Sequence, residues 1–197
     1  MAALAGHLRW STLLREVSEH GVAVAACAVG QPCCAQLRVE LGRGPFERMA
    51  PVIGSIQQEG ESFEVRVERL KPHYPALAYL CDELVSQVHR HGLPEWLPNE
   101  VAVQRYHAGS LGITPHRDPR RFALLVAVIT IAGSAPFTLC SNRAGDPIRT
   151  WQVNEGSLVL LRGHGLFSHI DGRPIHVVGG PTGGIARTSI GIRMEVP

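Results

Sequence analysis

The chain has 197 residues, of which 45% are hydrophobic and 18% are charged, with a formal net charge of +2. These values are typical of one ordinary globular domain with a sizeable core, and they give no reason to expect a second domain. The near-neutral charge excludes the strongly basic composition that would predict a nucleic-acid or membrane partner.

The N-terminus lacks the pattern of a targeting or anchoring segment. His7 and Arg9 interrupt the first apolar residues before a long hydrophobic run can develop. Neither a signal peptide nor a membrane anchor is therefore predicted, and the cytoplasm is the expected compartment.

The first quarter of the chain predicts two helices and a strand. Apolar residues at helical spacing predict an amphipathic helix over 8–19 that stops at Gly21, and an apolar run predicts a strand over 22–29. A proline at the helix start and a following glycine predict a second helix over 33–41. Residues 43–56 are rich in glycine and proline and are predicted to form a loop.

Two further elements complete the first half. Alternation of apolar and charged residues predicts a strand over 63–67, and a single apolar stripe predicts a helix over 77–89. Residues 1–98 are therefore interpreted as a helical and strand-containing extension. Its 43–56 loop is a possible substrate lid.

From Asn99 onward the pattern becomes entirely β. Turn residues separate eight short predicted strands over 101–106, 112–116, 122–131, 137–140, 148–153, 157–161, 174–178 and 186–195. Eight strands suit a jelly-roll barrel. The predicted fold class is therefore α+β, a single domain over 1–197 with a double-stranded β-helix (jelly-roll) core over 99–197 and N-terminal helices packed on one sheet.

The tripeptide His116-Arg117-Asp118 is the predicted chemical centre. Alternate side chains of an extended strand share a face, so an imidazole and a carboxylate should point the same way. Together they supply two of the three ligands of a 2-His-1-carboxylate facial triad, the arrangement typical of non-heme Fe(II). A third ligand must come from elsewhere in the chain.

The last predicted strand carries a second polar face. Arg187, Ser189, Gly191 and Arg193 are spaced by twos, so two guanidinium groups and a hydroxyl should share one side of the strand. Arginine binds carboxylates bidentately. Such a strand beside a metal suits a small dicarboxylate that chelates the metal at one end and is held at the other.

Taken together, these motifs resemble the Fe(II)/2-oxoglutarate-dependent dioxygenases, and among them most closely the AlkB-type branch. The matching pieces occur in order along 99–197 and are listed here: Gln104 and Tyr106, then His116-x-Asp118, then a histidine followed by valine, then Arg187 and Arg193. The first half of the chain contributes nothing to this resemblance.

The resemblance implies a site that binds Fe(II), 2-oxoglutarate and O2. His116, Asp118 and one further histidine would bind the iron. The side chains expected around 2-oxoglutarate are Arg187 at its distal carboxylate, with Ser189, Tyr106, Gln104 and Arg193. The implied reaction is hydroxylation of a substrate carbon, which becomes oxidative demethylation when that carbon is an N-methyl group.

Three histidines are candidates for the third metal ligand. His164 stands between two glycines in a predicted loop, and His169 follows an aromatic residue, as ligands of the AlkB branch often do. His176 lies within a predicted strand, which would hold an imidazole more rigidly than a loop. We favour His176 and keep His169 as the alternative.

The substrate is predicted from a departure from the AlkB pattern. Enzymes of that branch generally carry an acidic residue two positions after the iron aspartate, whereas this chain has Arg120 there, followed by Arg121. A guanidinium favours an anionic group, so we expect a small molecule or a modified nucleotide carrying a carboxylate or phosphate. The alternatives are oxidative demethylation of alkylated DNA or RNA, and arginines that simply pair with surface acids.

A different class of protein also fits the motifs. A non-catalytic barrel could bind metal or 2-oxoglutarate as a sensor, or the triad could be coincidental in a cupin-like module. Cupin sites draw on more histidines near the first strand pair, where this chain offers only His107. The sequence predicts no oligomeric state.

Overall fold

The computed structural model describes residues 2–166 and 171–197. Its helices are listed here: α1 Trp10–His20, α2 Gln31–Leu41, α3 Leu70–His73 and α4 Pro75–Arg90. Its strands are β1 Val22–Ala25, β2 Glu47–Arg48, β3 Val52–Ile53, β4 Ile56–Gln57, β5 Glu61–Arg66, β6 Glu100–Tyr106, β7 Ile113–His116, β8 Phe122–Ala132, β9 Ser134–Cys140, β10 Pro147–Asn154, β11 Leu158–Arg162, β12 Ile175–Val178 and β13 Arg187–Glu195.

The strands form two main antiparallel sheets, and the predicted jelly-roll core is confirmed. The large sheet has seven strands in the order β1-β11-β8-β13-β6-β5-β2, and the small sheet has four in the order β10-β9-β12-β7. All eight strands predicted after residue 99 are present. The first half of the chain also contributes β1, β5 and β2 to the large sheet, so it is more than a helical cover.

The helices pack on the outer face of the large sheet, as predicted. Helix α1 buries Leu13, Leu14 and Val17 and ends at Gly21, whose φ of 81° is the left-handed conformation that glycine adopts at little cost. Helix α4 begins where the Ala76 and Leu77 amides donate to the Glu40 carboxylate of α2, at 2.9 and 3.0 Å. That carboxylate satisfies amides that the first helical turn leaves free and favours the positive end of the helix dipole.

Two apolar clusters divide the interior. The larger one lies between the helices and the outer face of the large sheet. The smaller one fills part of the space between the two sheets, and its buried members are Val22, Phe122, Val126, Phe137, Val153, Val159 and Leu161. The remaining space between the sheets is where polar side chains collect.

The 43–56 segment is not a simple loop, and this prediction was wrong. Strand β2 pairs with β5 at the edge of the large sheet, and β3 and β4 form a hairpin around Gly54, whose φ is +60°. Each of these strands has two residues, too few for any periodic pattern to appear in the sequence.

The predicted end of one strand also moves. The strand predicted over 22–29 ends at Ala25, because Cys27 adopts a φ of 52°, which extended backbone cannot accommodate. Strand β7 ends at His116, so Asp118 lies two residues beyond the strand and not on it. Among the described residues, no helix has the length and apolar character needed to cross a membrane.

Candidate active site

Two neighbouring strands of the small sheet bring two imidazoles together. His116 on β7 is the register partner of His176 on β12, and their ring centroids are 4.3 Å apart. Asp118 follows β7, and its Oδ1 lies 3.9 Å from His116 Nε2. One ligand atom from each of these three residues lies within 4.8 Å of the others. Among residues 2–166 and 171–197, this is the one group of three or more His, Cys, Asp or Glu side chains that is arranged closely enough to hold a metal ion.

Backbone carbonyls orient both imidazoles. His116 Nδ1 donates to the carbonyl of Thr114 at 2.8 Å, and His176 Nδ1 donates to the carbonyl of Pro174 at 3.4 Å. A carbonyl only accepts hydrogen bonds, so these contacts place the proton on Nδ1 and leave the Nε2 lone pair available. Metal-binding histidines are commonly fixed in this way.

The surroundings of His116 favour its neutral form. Burial, and then the neighbouring His176, lower the pKa of His116 below its ordinary value. Neutral imidazole is the form that binds a metal. Phe137 stacks on His176 with ring centroids 5.5 Å apart and an angle of 27°, which restricts the rotation of that ring.

The three candidate third ligands are placed differently. His176 is buried within the group. His164 is exposed on the loop after β11 and takes no part in the group. His169 lies outside the described residues, so its assignment stays a prediction.

A buried guanidinium lies in the same cavity. Arg187 begins β13 and is 3% exposed; its Nη1 donates to Ser189 Oγ at 3.3 Å and its Nη2 to Thr130 Oγ1 at 3.0 Å. Its Nε has no hydrogen-bond partner, and within the described part of the chain it forms no salt bridge. Burial lowers the pKa of Arg187 to about 10, which still leaves it charged at neutral pH.

The other predicted cosubstrate residues lie beside this guanidinium. Tyr106 is the register partner of Arg187, Gln104 is the partner of Ser189, and all four line the cavity. Burial raises the pKa of Tyr106, so its hydroxyl is protonated and available as a donor. The site therefore combines a fixed cation with several neutral hydrogen-bonding groups.

Thr130 is the residue that the sequence analysis missed. It is 1% exposed on β8, opposite Ser189, and accepts a hydrogen bond from Arg187. The available signal was a hydroxyl between Ile129 and Ile131 in a strand that is otherwise apolar. A buried hydroxyl needs a partner, and that need could have identified it.

Arg193 lines the same cavity, but its charge is paired. Its Nη2 lies 2.6 Å from Glu100 Oε1 and 3.2 Å from Glu64 Oε1, and its guanidinium stacks 4.2 Å from the centre of the Phe122 ring. Of the two predicted arginines, Arg187 is thus the one without a carboxylate partner among the described residues.

The cavity that contains these groups is small and lies between the two sheets. Its volume is about 80 Å³, and its apolar walls include Val126, Val128, Val159 and Leu161. A larger groove of about 700 Å³ lies between α2 and α4, yet it contains none of the groups described above. Size alone does not locate the chemistry in this protein.

The two arginines that follow the aspartate form ion pairs. Arg120 Nη2 lies 3.6 Å from Asp171 Oδ2, and Arg121 Nε lies 3.0 Å from Glu195 Oε1. Arg120 is also absent from the residues that line the cavity. The contacts match the alternative in which these arginines pair with surface acids, and a role of Arg120 toward substrate stays a prediction.

Comparison with solved structures identifies proteins of the same fold. A prolyl-4-hydroxylase from Pseudomonas putida matches 96% of this chain and 100% of its own with a TM-score of 0.64 and 15% identity. A Trichoplax adhaerens prolyl hydroxylase, in complex with a hypoxia inducible factor peptide fragment, matches 95% of this chain and 89% of its own with a TM-score of 0.67 and 14% identity.

A third structure is similar over almost the whole chain. The non-heme alpha ketoglutarate dependent carbocyclase SnoK of nogalamycin biosynthesis matches 98% of this chain and 86% of its own, with a TM-score of 0.67 and 12% identity. At these identities the likeness establishes a common fold. No model of a protein family matches the sequence, and neither does any curated protein.

Proposed function

We propose that this protein is an Fe(II)- and 2-oxoglutarate-dependent dioxygenase that hydroxylates an organic substrate. The observation that carries the proposal is the buried Arg187 guanidinium, which lacks a carboxylate partner among the described residues and shares a cavity with His116, Asp118 and His176. A buried cation is costly unless it is paired. An anionic ligand of this cavity would supply the missing partner.

The donor set fits Fe(II). Two imidazoles and one carboxylate form the facial triad of non-heme iron sites, and here both Nδ1 atoms are engaged by carbonyls, which leaves both Nε2 atoms to face the metal. The ligand atoms already lie within 4.8 Å of one another. His116, Asp118 and His176 are therefore close enough together to serve as ligands of one metal ion.

The polar groups around Arg187 fit a carboxylate such as the distal one of 2-oxoglutarate. The free Nε of Arg187 and the Tyr106 hydroxyl supply donors, while Ser189 and Thr130 hold the guanidinium in place. A charged fork held by buried hydroxyls is preorganised for a bidentate contact. Gln104 and Arg193 line the cavity nearby, and we assign them secondary roles.

When bound, iron and 2-oxoglutarate supply oxidation of a substrate C–H bond to C–OH by O2, with 2-oxoglutarate converted to succinate and CO2. The chain itself supplies orientation and exclusion of water. Val126, Val128, Val159 and Leu161 form an apolar part of the cavity wall, on strands of the same sheet as Arg187. Such a wall keeps the dielectric low around the Arg187 charge and strengthens its attraction for an anion.

For the substrate, we propose an anionic small molecule or modified nucleotide. The segment around Asp118 supports this proposal because it contains three exposed arginines, Arg117 before the aspartate and Arg120 and Arg121 after it. Two of them have acidic partners, whereas Arg117 forms no salt bridge within the described residues. The AlkB-like alternative, demethylation of alkylated DNA or RNA, remains a prediction from the sequence motifs.

The β3–β4 hairpin is the proposed lid. Gln57 N donates to Thr114 Oγ1 at 2.9 Å, and Gln58 forms a bridge to Ile113, so the hairpin runs beside the strand that carries His116. Val52 and Ile53 are 58% and 56% exposed on this hairpin. Apolar side chains at that position could cover a bound substrate.

The proposal is tested by aerobic incubation with Fe(II), ascorbate and 2-oxoglutarate, with succinate as the readout. We expect slow succinate formation without substrate and faster formation with members of an anionic metabolite panel. Absence of both succinate and any 2-oxoglutarate binding would overturn the proposal. Binding without succinate across that panel and across methylated oligonucleotides would indicate the non-catalytic sensor.

A further inference from the structure

Asp118 is the proposed metal ligand with the least support from secondary structure. Strand β7 ends at His116, so Asp118 lies outside the ladder that pairs His116 with His176. A ligand on irregular backbone needs other contacts to hold it in a productive geometry.

Arg173 supplies a contact of that kind. Its Nη1 donates to the backbone carbonyl of Asp118, across 55 residues of sequence. Arg173 lies three residues before His176 and is 9% exposed, which is unusual for an arginine outside the metal group. One side chain thus joins the segment that carries Asp118 to the segment that leads into His176.

Asp171 fixes the other edge of the same guanidinium. Arg173 Nε donates to Asp171 Oδ1 at 2.7 Å, and Nη2 donates to Asp171 Oδ2 at 2.6 Å. This is a bidentate fork, the strongest and most directional form of an arginine–carboxylate pair. The hydrogen bond from Arg173 lowers the pKa of Asp171 well below its usual range, so the pair stays charged at neutral pH.

The segment that carries this pair is itself anchored. Arg162 Nε donates to the carbonyl of Gly172 at 2.7 Å, and Arg162 Nη1 donates to the carbonyl of Ser18 at 3.0 Å. Hydrogen bonds thus connect the end of β11 and the end of α1 to residues 171–173. The guanidinium of Arg173 therefore acts from a fixed position on the backbone of Asp118.

We infer that Arg173, locked by Asp171, is a positioning residue that holds Asp118 in place for the metal, an inference that rests on the proposed function. Neither residue supplies a metal ligand. Their role is to set the direction of the Asp118 carboxylate toward His116 and His176. Polar contacts behind metal ligands typically contribute 10- to 100-fold to metal affinity.

The test compares Arg173→Gln, Arg173→Lys and Asp171→Asn with wild type, using Mn(II) as the probe. Calorimetry should give Mn(II) affinities about 10- to 100-fold weaker for Arg173→Gln, with smaller losses for the other two variants. The electron paramagnetic resonance spectrum of bound Mn(II) should change in all three, because it reports ligand geometry. Arg173→Lys keeps the charge but loses the fork, so it separates geometry from electrostatics.

Arg121→Gln is the matched control. Arg121 lies on the loop that follows Asp118 and, like Arg173, forms an ion pair, at 3.0 Å from Glu195. Among the described residues it makes no hydrogen bond or salt bridge to Asp118. We expect wild-type Mn(II) affinity and spectrum for this variant. If Arg173→Gln does not fold, as judged by its thermal melting, Asp171→Asn decides the test alone.

The outcomes separate this inference from the proposed function. Wild-type protein that binds no Mn(II) overturns both. Wild-type binding, with unchanged affinity and spectrum in the Arg173 and Asp171 variants, overturns the positioning role only. If Arg173→Gln and Arg121→Gln lose the same amount of Mn(II) affinity, the positioning role is also overturned, because that loss would come from removing a positive charge near the site.

Discussion

The two faces of the large sheet use the same strands for different purposes. On β13, Ile190 and Ile192 are fully buried against the helical layer, while Arg187 and Ser189 are equally buried but face the small sheet. Side chains alternate along a strand, so residues adjacent in sequence reach different environments. Burial on one face stabilises the fold, and burial on the other holds polar groups ready for a ligand.

This contrast makes opposite predictions for neighbouring residues. A substitution on the helical face should lower stability and spare ligand affinity. A substitution on the inner face should lower ligand affinity and leave the unliganded protein as stable as before, or more stable. Variants of Arg187, Ile190 and Thr130 test this separation, and Asp118→Ala tests the proposed metal site that the inner face borders.

The largest effect is expected for Asp118→Ala. This change removes the charged ligand of the proposed site, and two neutral imidazoles alone are a poor site for Fe(II). Calorimetry with Mn(II) should detect no binding, while the thermal melting temperature without metal should be close to that of wild type. Equal Mn(II) affinity in both proteins would show that the ligand assignment is wrong.

Arg187→Met should weaken 2-oxoglutarate binding by about 2 to 5 kcal/mol, as for a truncated buried ion pair. Methionine approximately keeps the volume and removes the charge, so stability without ligand should not fall. Binding is measured without oxygen in the presence of Mn(II), whose own affinity should not change. Arg187→Lys is the control, because lysine keeps the positive charge but lacks the two parallel N–H donors of a guanidinium. If both variants bind 2-oxoglutarate as tightly as wild type, the carboxylate-binding role would belong to Arg193.

Ile190→Ala should have the reverse signature. It removes a fully buried side chain from the helical face and should lower the free energy of unfolding by about 2 to 5 kcal/mol. Urea denaturation measures this loss, and 2-oxoglutarate affinity should stay within about twofold of wild type. A large loss of affinity would mean that the two faces are coupled through β13.

Thr130→Val should have the smallest effect. It removes the hydroxyl that accepts from Arg187 Nη2 at 3.0 Å and keeps a branched side chain. One hydrogen bond contributes about 0.5 to 1.5 kcal/mol, so 2-oxoglutarate should bind a few-fold more weakly. The same variant in an Arg187→Met background should show no further loss, because its effect acts through the guanidinium.

The sequence predicted those parts of the site that depend on spacing within one element. Arg187 and Ser189 alternate on a single strand, so the two-residue spacing predicted that they share a face. His116 and Asp118 have the same spacing, but Asp118 lies beyond the end of β7, so strand alternation does not place its side chain. The register of β7 against β12, which brings His176 opposite His116, depends on the whole sheet. The sequence pattern around His176 favoured it as the third ligand, but that pattern could not show that His176 lies opposite His116.

The parts that were missed depend on residues distant in sequence. Arg193 pairs with Glu100, 93 positions away, and Thr130 meets Arg187 across two adjacent strands. No local pattern encodes such pairs. The two-residue strands β2, β3 and β4 were missed for another reason, since neighbouring edges stabilise them more than any propensity of their own.

Strand β7 lies at the edge of the small sheet, where backbone amides are most easily exposed to hydrogen exchange with solvent. This strand has four residues, pairs with β12 on one side, and on the other meets the bridge from Gln58 to Ile113. A metal ion held by His116 and His176 would join β7 to β12 as a cross-strand link. When the free metal concentration is 100 times the dissociation constant, binding stabilises the folded state by about 2.7 kcal/mol. The amide hydrogens of β7 would then exchange more slowly with solvent.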